Sequence, residues 1–137
     1  MAGELQIVKL NQTQFLFGTD KASYLGNSIV RVDAIGDQTS DMVLLIEASF
    51  RDFLLQFGDR IKLLVDINFV GKNPPPARRL WQSMARDPLV ERVAVCGLHP
   101  VSQVVASFVM GPLKMDKVRF FQAESEAMDW LKQNSTI

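Results

Sequence analysis

The chain has 137 residues, 47% of them hydrophobic and 22% charged, which is the make-up of one globular domain with a single core and excludes a disordered segment. Fifteen basic residues balance fifteen acidic ones, so no overall field draws the chain to nucleic acid or to an anionic membrane surface. A lone cysteine, Cys96, excludes an intrachain disulfide and a thiolate metal cage and fits a reducing, cytoplasmic compartment.

Met1 to Leu10 mixes Glu4, Gln6 and Lys9 with its apolar residues and lacks the apolar run of a signal peptide. Nothing later approaches the roughly 18 consecutive apolar residues of a membrane span, so a soluble chain with no integral membrane segment is expected. Leu5 to Leu10 and Gln14 to Phe17 flank the polar Asn11-Gln12-Thr13 and read as an N-terminal hairpin. After Gly26-Asn27, Ser28 to Ile35 alternates as a third strand, and its Arg31 and Asp33 predict a place near a sheet edge.

From Asp37 the period changes: Met42, Leu45, Ile46, Phe50, Phe53, Leu54 and Phe57 recur at helical spacing until Gly58. Val43, Leu44 and Leu55 widen the apolar stripe beyond what one core contact needs. Three readings stay open for that surface: a wider core contact, the seam of a homodimer, or the wall of an apolar pocket. Leu44 is therefore a candidate partner-binding residue.

Ile61 to Ile67 is a near-continuous apolar run, the pattern of a central parallel strand covered on both faces. Gly71-Lys72-Asn73-Pro74-Pro75-Pro76 interrupts it, and a helix is expected from Pro76, with Ala77, Leu80, Trp81 and Met84 inward, ending at Asp87-Pro88. Arg92 to Gly97 reads as a strand, followed through Leu98-His99 by a helix opening at Pro100. Val118 to Phe121 is the last strand, and Ala127, Trp130 and Leu131 mark a C-terminal helix. The alternation predicts one α/β domain over 1–137, with right-handed crossovers, a mostly parallel central sheet, an N-terminal hairpin and about four helices.

Three segments carry a family likeness: Leu63-Leu64-Val65-Asp66-Ile67, Arg92-Val93-Ala94-Val95-Cys96-Gly97, and Val118-Arg119-Phe120-Phe121 with Glu126-Ala127-Met128-Asp129-Trp130-Leu131. Over about residues 28 to 133 the chain resembles the SpoIIAA-like, or STAS-like, family. The resemblance implies a β-α superhelix related in shape to anti-sigma-factor antagonists and to CRAL-TRIO lipid carriers. It further implies a regulatory protein-interaction domain or, as the alternative, a carrier of a lipid or small apolar molecule. Antagonists of that family carry a phosphorylatable Asp-Ser-Ser-Gly run where Lys72-Asn73-Pro74-Pro75 stands here. With no hydroxyl at that place, such a phospho-switch is not expected.

Candidate chemistry is sparse. Asp66 ends a central parallel strand, where open α/β sheets place ligand crevices; it is read either as a cap on nearby backbone N–H groups or as a binding residue. Asn68, Lys72, Asn73 and His99 are the polar residues positioned to join it. Cys96 and His99 are badly spaced for a nucleophile and base, and a strand-buried thiol is inert. Gly71-Lys72 lacks the glycine five residues earlier that a phosphate loop needs, since position 66 is Asp66. Lys72, Arg78, Arg79, Arg86 and Arg92 form a basic stretch that reads first as a solvated helix face. No catalytic residue, metal site or cofactor is expected, and a protein partner, identity open, is.

Overall fold

The computed structural model of the chain describes residues 6–98 and 117–133. They form a seven-stranded sheet in which every strand neighbours the next in sequence: β1 (Ile7–Lys9), β2 (Gln14–Phe17), β3 (Asp20–Gly26), β4 (Ile29–Gly36), β5 (Ile61–Val70), β6 (Val90–Cys96) and β7 (Val118–Phe121). β1 to β4 pair as an antiparallel meander, and β4 to β7 run parallel. Helices α1 (Ser40–Leu55) and α2 (Pro75–Arg86) follow β4 and β5, and α3 (Glu124–Lys132) closes the described chain. The helix expected from Pro100 lies outside the described residues.

The main core lies between one sheet face and the α1–α2 layer, as right-handed crossovers between strands advancing in one direction require. It holds Val30 and Val32 of β4, Leu63 and Val65 of β5, Val93 and Val95 of β6, Phe50 and Phe53 of α1, and Leu80 and Trp81 of α2. Phe15 and Phe17 bring the N-terminal hairpin into it through edge-to-face contacts with Phe53 at 4.9 and 5.6 Å. The second face carries a smaller core: Ile29, Leu64, Ala94 and Cys96 meet Ala127, Trp130 and Leu131 of α3.

The hairpin forms over the expected segments, but β3 was not anticipated, because Asp20 to Gly26 shows no clean alternation. Its insertion moves β4, expected near an edge, to the middle of the sheet between β3 and β5. The charges that suggested an edge are instead absorbed by ion pairs on the second face. Helix α1 begins at Ser40, not Asp37, because the Thr39 hydroxyl caps the Met42 N–H at 3.3 Å. Helix α2 begins at Pro75, one residue early, since two prolines are tolerated at N1 and N2. The Arg78 N–H is then spent on the Pro74 carbonyl, leaving Ala77 as the first-turn donor without a partner among the described residues.

Two loops at the carboxyl ends of β4 and β5 are clasped together. The Gly71 N–H donates to the Gly36 carbonyl (2.7 Å), the Lys72 N–H to Asp37 Oδ1 (2.8 Å) and the Gln38 N–H to the Lys72 carbonyl (2.8 Å). Gly71 fits there because a Cβ would stand 3.0 Å from backbone atoms of both Asp37 and Gly36. Beneath the clasp, buried Asp20 accepts from the Ile35 N–H (2.9 Å) and Gln38 Nε2 (3.0 Å) through one carboxylate oxygen. Its other oxygen and Gln38 Oε1 find no partner among the described residues. Burial raises the Asp20 pKa to about 6, against the opposing hydrogen bonds.

Candidate functional site

Residues alternate across a strand, so Ile29, Arg31, Asp33 and Ile35 of β4 share the face that α3 covers. The register sets Arg31 in one row with Leu64 and Ala94, and Asp33 in one row with Lys21, Asp66 and Cys96. Helix α3 has only nine residues and packs on the Leu64–Ala94 end of this face. The other half, toward the carboxyl ends of the parallel strands, holds a charged floor and an apolar lip.

The floor is built on Arg31. Its Nε donates to Asp33 Oδ1 at 3.0 Å, its Nη2 to Asp66 Oδ2 at 2.7 Å, and its Nη1 to Glu124 Oε1 at the start of α3. A planar guanidinium with donors in several directions suits this three-way demand, where a lysine would not. Burial works against its charge, but the bonds to Glu124 and Asp33 hold the Arg31 pKa above its ordinary range. Asp66 Oδ1 accepts from the Asn68 N–H (2.8 Å) and Nδ2 (2.9 Å), and Asn68 Oδ1 accepts from the Leu98 N–H (2.8 Å). Asp66 thus joins β4, β5, α3 and the end of β6.

The lip comes from a β-bulge. Asp33 pairs with Asp66, but the next pair on that face is Ile35 with Phe69, so β5 carries one extra residue. The extra residue puts Phe69 on the face of Ile35 and returns Val70 to the main core. Ile35, Phe69 and Leu98 are 41%, 74% and 69% exposed. Large apolar side chains gathered on one rim, unlike ones scattered singly, mark a place of contact.

Asp66, Cys96 and Glu124 offer ligand atoms within 4.8 Å of one another. Both carboxylates already grip Arg31, and burial, with the Asp66 charge adding to it, pushes the Cys96 thiol up to about 11. The resident cation of this cluster is the guanidinium. With both Asp66 oxygens engaged and the thiol protonated near neutrality, the cluster is arranged for holding elements together rather than for moving protons.

The structure unites only some of the residues singled out from sequence. Asp66 and Asn68 belong to the cluster. Lys72 and Asn73 lie in the clasped loop, Lys72 exposed and Asn73 half-buried, with Asn73 Oδ1 unpartnered among the described residues. Leu44 stands apart on α1, in the opposite layer and 65% exposed, while Val43 beside it is core. His99 lies outside the described residues. Arg31, Asp33 and Glu124 were missed as site residues; two charges at i and i+2 put both on one face of an apolar strand, which was their available signal.

A groove of about 190 Å3 between α1 and α2 is lined by Ile46, Phe50, Leu80 and Met84 and spanned by the Arg51–Asp87 ion pair (2.9 Å). Small-molecule pockets usually enclose about 300–1,000 Å3, so this groove gives the carrier reading no support. Among the described residues no helix is long and apolar enough to cross a membrane.

No protein-family model matches the sequence, and no curated protein matches it. Solved structures do. A protein of the DUF3478 family from Shewanella loihica PV-4, described as having a SpoIIAA-like fold, superposes with a TM-score of 0.57 at 19% identity, over 93% of this chain and 92% of that one. The anti-sigma factor antagonist SpoIIAA in its unphosphorylated form gives a TM-score of 0.59 at 15% identity, over 82% of this chain and 97% of its own. The chain has a SpoIIAA-like fold. Identities this low carry the fold alone, so the site of this SpoIIAA-like domain must be read from its own residues.

Proposed function

We propose that this SpoIIAA-like domain is a non-enzymatic, regulatory interaction module that meets its protein partner at the carboxyl ends of β4, β5 and β6. The observation that carries this reading is the Ile35–Phe69–Leu98 lip, three exposed apolar side chains fixed by the bulge and by the Asn68 bridge. It is supported by the SpoIIAA-like fold, found in an anti-sigma factor antagonist. The ion-paired floor supports it too, since it makes the rim rigid and so lowers the ordering cost of binding.

The test is affinity purification from the source cells with quantitative mass spectrometry, comparing the natural chain with Phe69→Asp and Leu44→Asp. A partner lost with Phe69→Asp and kept with Leu44→Asp is expected. The reverse pattern moves the interface to α1, and an apolar small molecule co-purifying at stoichiometric level in place of a protein overturns the reading.

A further inference from the structure

The open half-face has a charge as well as an apolar lip. Three carboxylates, Asp33, Asp66 and Glu124, surround the guanidinium of Arg31, and Lys21 of β3 stands opposite Asp33 in the register, so one negative charge stays uncompensated on this half-face. Asp33 Oδ2 and Glu124 Oε2 accept no hydrogen bond from the described residues, and their side chains are 25% and 52% exposed. The other cations of this face lie toward its far end. Lys62 pairs with Glu91 (3.8 Å), Arg92 donates to the Trp130 and Gln133 carbonyls, and Arg119 stacks over the Trp130 ring at 5.1 Å. Arg119 shares the Arg31 row but stands three strands away, about 14 Å at the usual strand spacing.

Resting on the interaction reading above, we propose that this half-face takes a protein segment in which a Lys or Arg side chain lies beside a large apolar one. The acid row (Asp33, Asp66) and the lip row (Ile35, Phe69) are two residues apart along β4, about 7 Å. That spacing suits side chains one or two residues apart on a bound segment. The incoming cation meets Glu124, the more exposed carboxylate and the one without a lysine opposite it, and its apolar neighbour covers Phe69 and Leu98. An acidic segment would be repelled by the excess charge at Glu124, and a purely apolar one would desolvate that carboxylate without compensation.

The test is selection of a displayed library of random dodecapeptides against the full chain, followed by titration of the synthetic winners. Enrichment of Lys or Arg within two residues of Leu, Ile, Phe or Trp is expected. Binding should fall about tenfold or more in Phe69→Ser, fall about three- to tenfold in Glu124→Gln, and weaken as salt rises. Glu124 is half exposed, and an unchanged melting curve for its variant separates lost binding from lost fold. Winners without a cation that still need Phe69 would overturn the proposed chemistry and leave the interaction surface standing. Winners indifferent to both Phe69→Ser and Leu98→Ser, or no enriched family at all, would overturn both.

Discussion

Ile35 and Phe69 stand side by side on β4 and β5 because β5 advances three residues from Asp66 while β4 advances two from Asp33. Had the two strands kept step, Val70 would face the open side and Phe69 the helix layer. Asn68 sits inside that irregularity, bonded both to Asp66 and to the Leu98 amide.

Asn68→Ala therefore should free the Leu98 amide and remove one donor from Asp66. A loss of about 1–2 kcal/mol is expected, with faster hydrogen exchange at Leu98 than at core amides of β6. Unchanged exchange at Leu98 would mean that the bridge does not set the lip.

Arg31 is the hub of the floor, 24% exposed, and its removal strands Asp66, only 13% exposed. Arg31→Met should cost on the order of 2–4 kcal/mol in denaturant unfolding. Arg31→Met combined with Asp66→Leu should be less damaging than Arg31→Met alone, because the stranded charge is gone. Additive losses would show that the two residues do not act as a pair.

Much of this architecture is legible in the chain itself, and the exceptions have physical causes. The apolar run of β5 gave a central parallel strand, and the period of Met42 to Phe57 gave α1. Asp20 to Gly26 escaped notice because its alternation is blurred by Asp20 and Ser23, polar residues that only the tertiary fold buries. Losing β3 misplaced β4, and a misplaced β4 hid Arg31 and Asp33, whose role depends on Asp66 of β5 and Glu124 of α3, 35 and 93 residues away from Arg31. The bulge that exposes Phe69 is equally silent in sequence, since it is a matter of pairing.

Asp20 sets a pH dependence. Its pKa is about 6 in the folded chain and 3.8 as the ordinary value, so between these pH values the folded state binds more protons than the unfolded one. Its contribution to stability is thus greatest at low pH and is lost as pH rises from about 4 to about 6, by on the order of 3 kcal/mol. Melting curves of Asp20→Asn should lack this component. A natural chain whose difference from Asp20→Asn is flat over that window would show that Asp20 is already ionised when folded.

The Cys96 thiol, pushed up to about 11 by burial, should be almost entirely protonated at pH 8. Iodoacetamide is expected to label the folded chain at least about a hundredfold more slowly than the urea-unfolded chain, since the thiolate is the nucleophile. Comparable labelling rates would contradict a sealed sheet face beside Asp66.

The location of the partner surface is tested most directly by photo-crosslinking from inside the source cells, with benzophenone side chains placed singly at positions 69 and 44. A discrete heterologous adduct from position 69, absent from position 44 and lost when Leu98→Asp is added, is the expected result. Adducts from position 44 alone would place the contact on α1 and contradict the assignment of the Ile35–Phe69–Leu98 lip as the binding face.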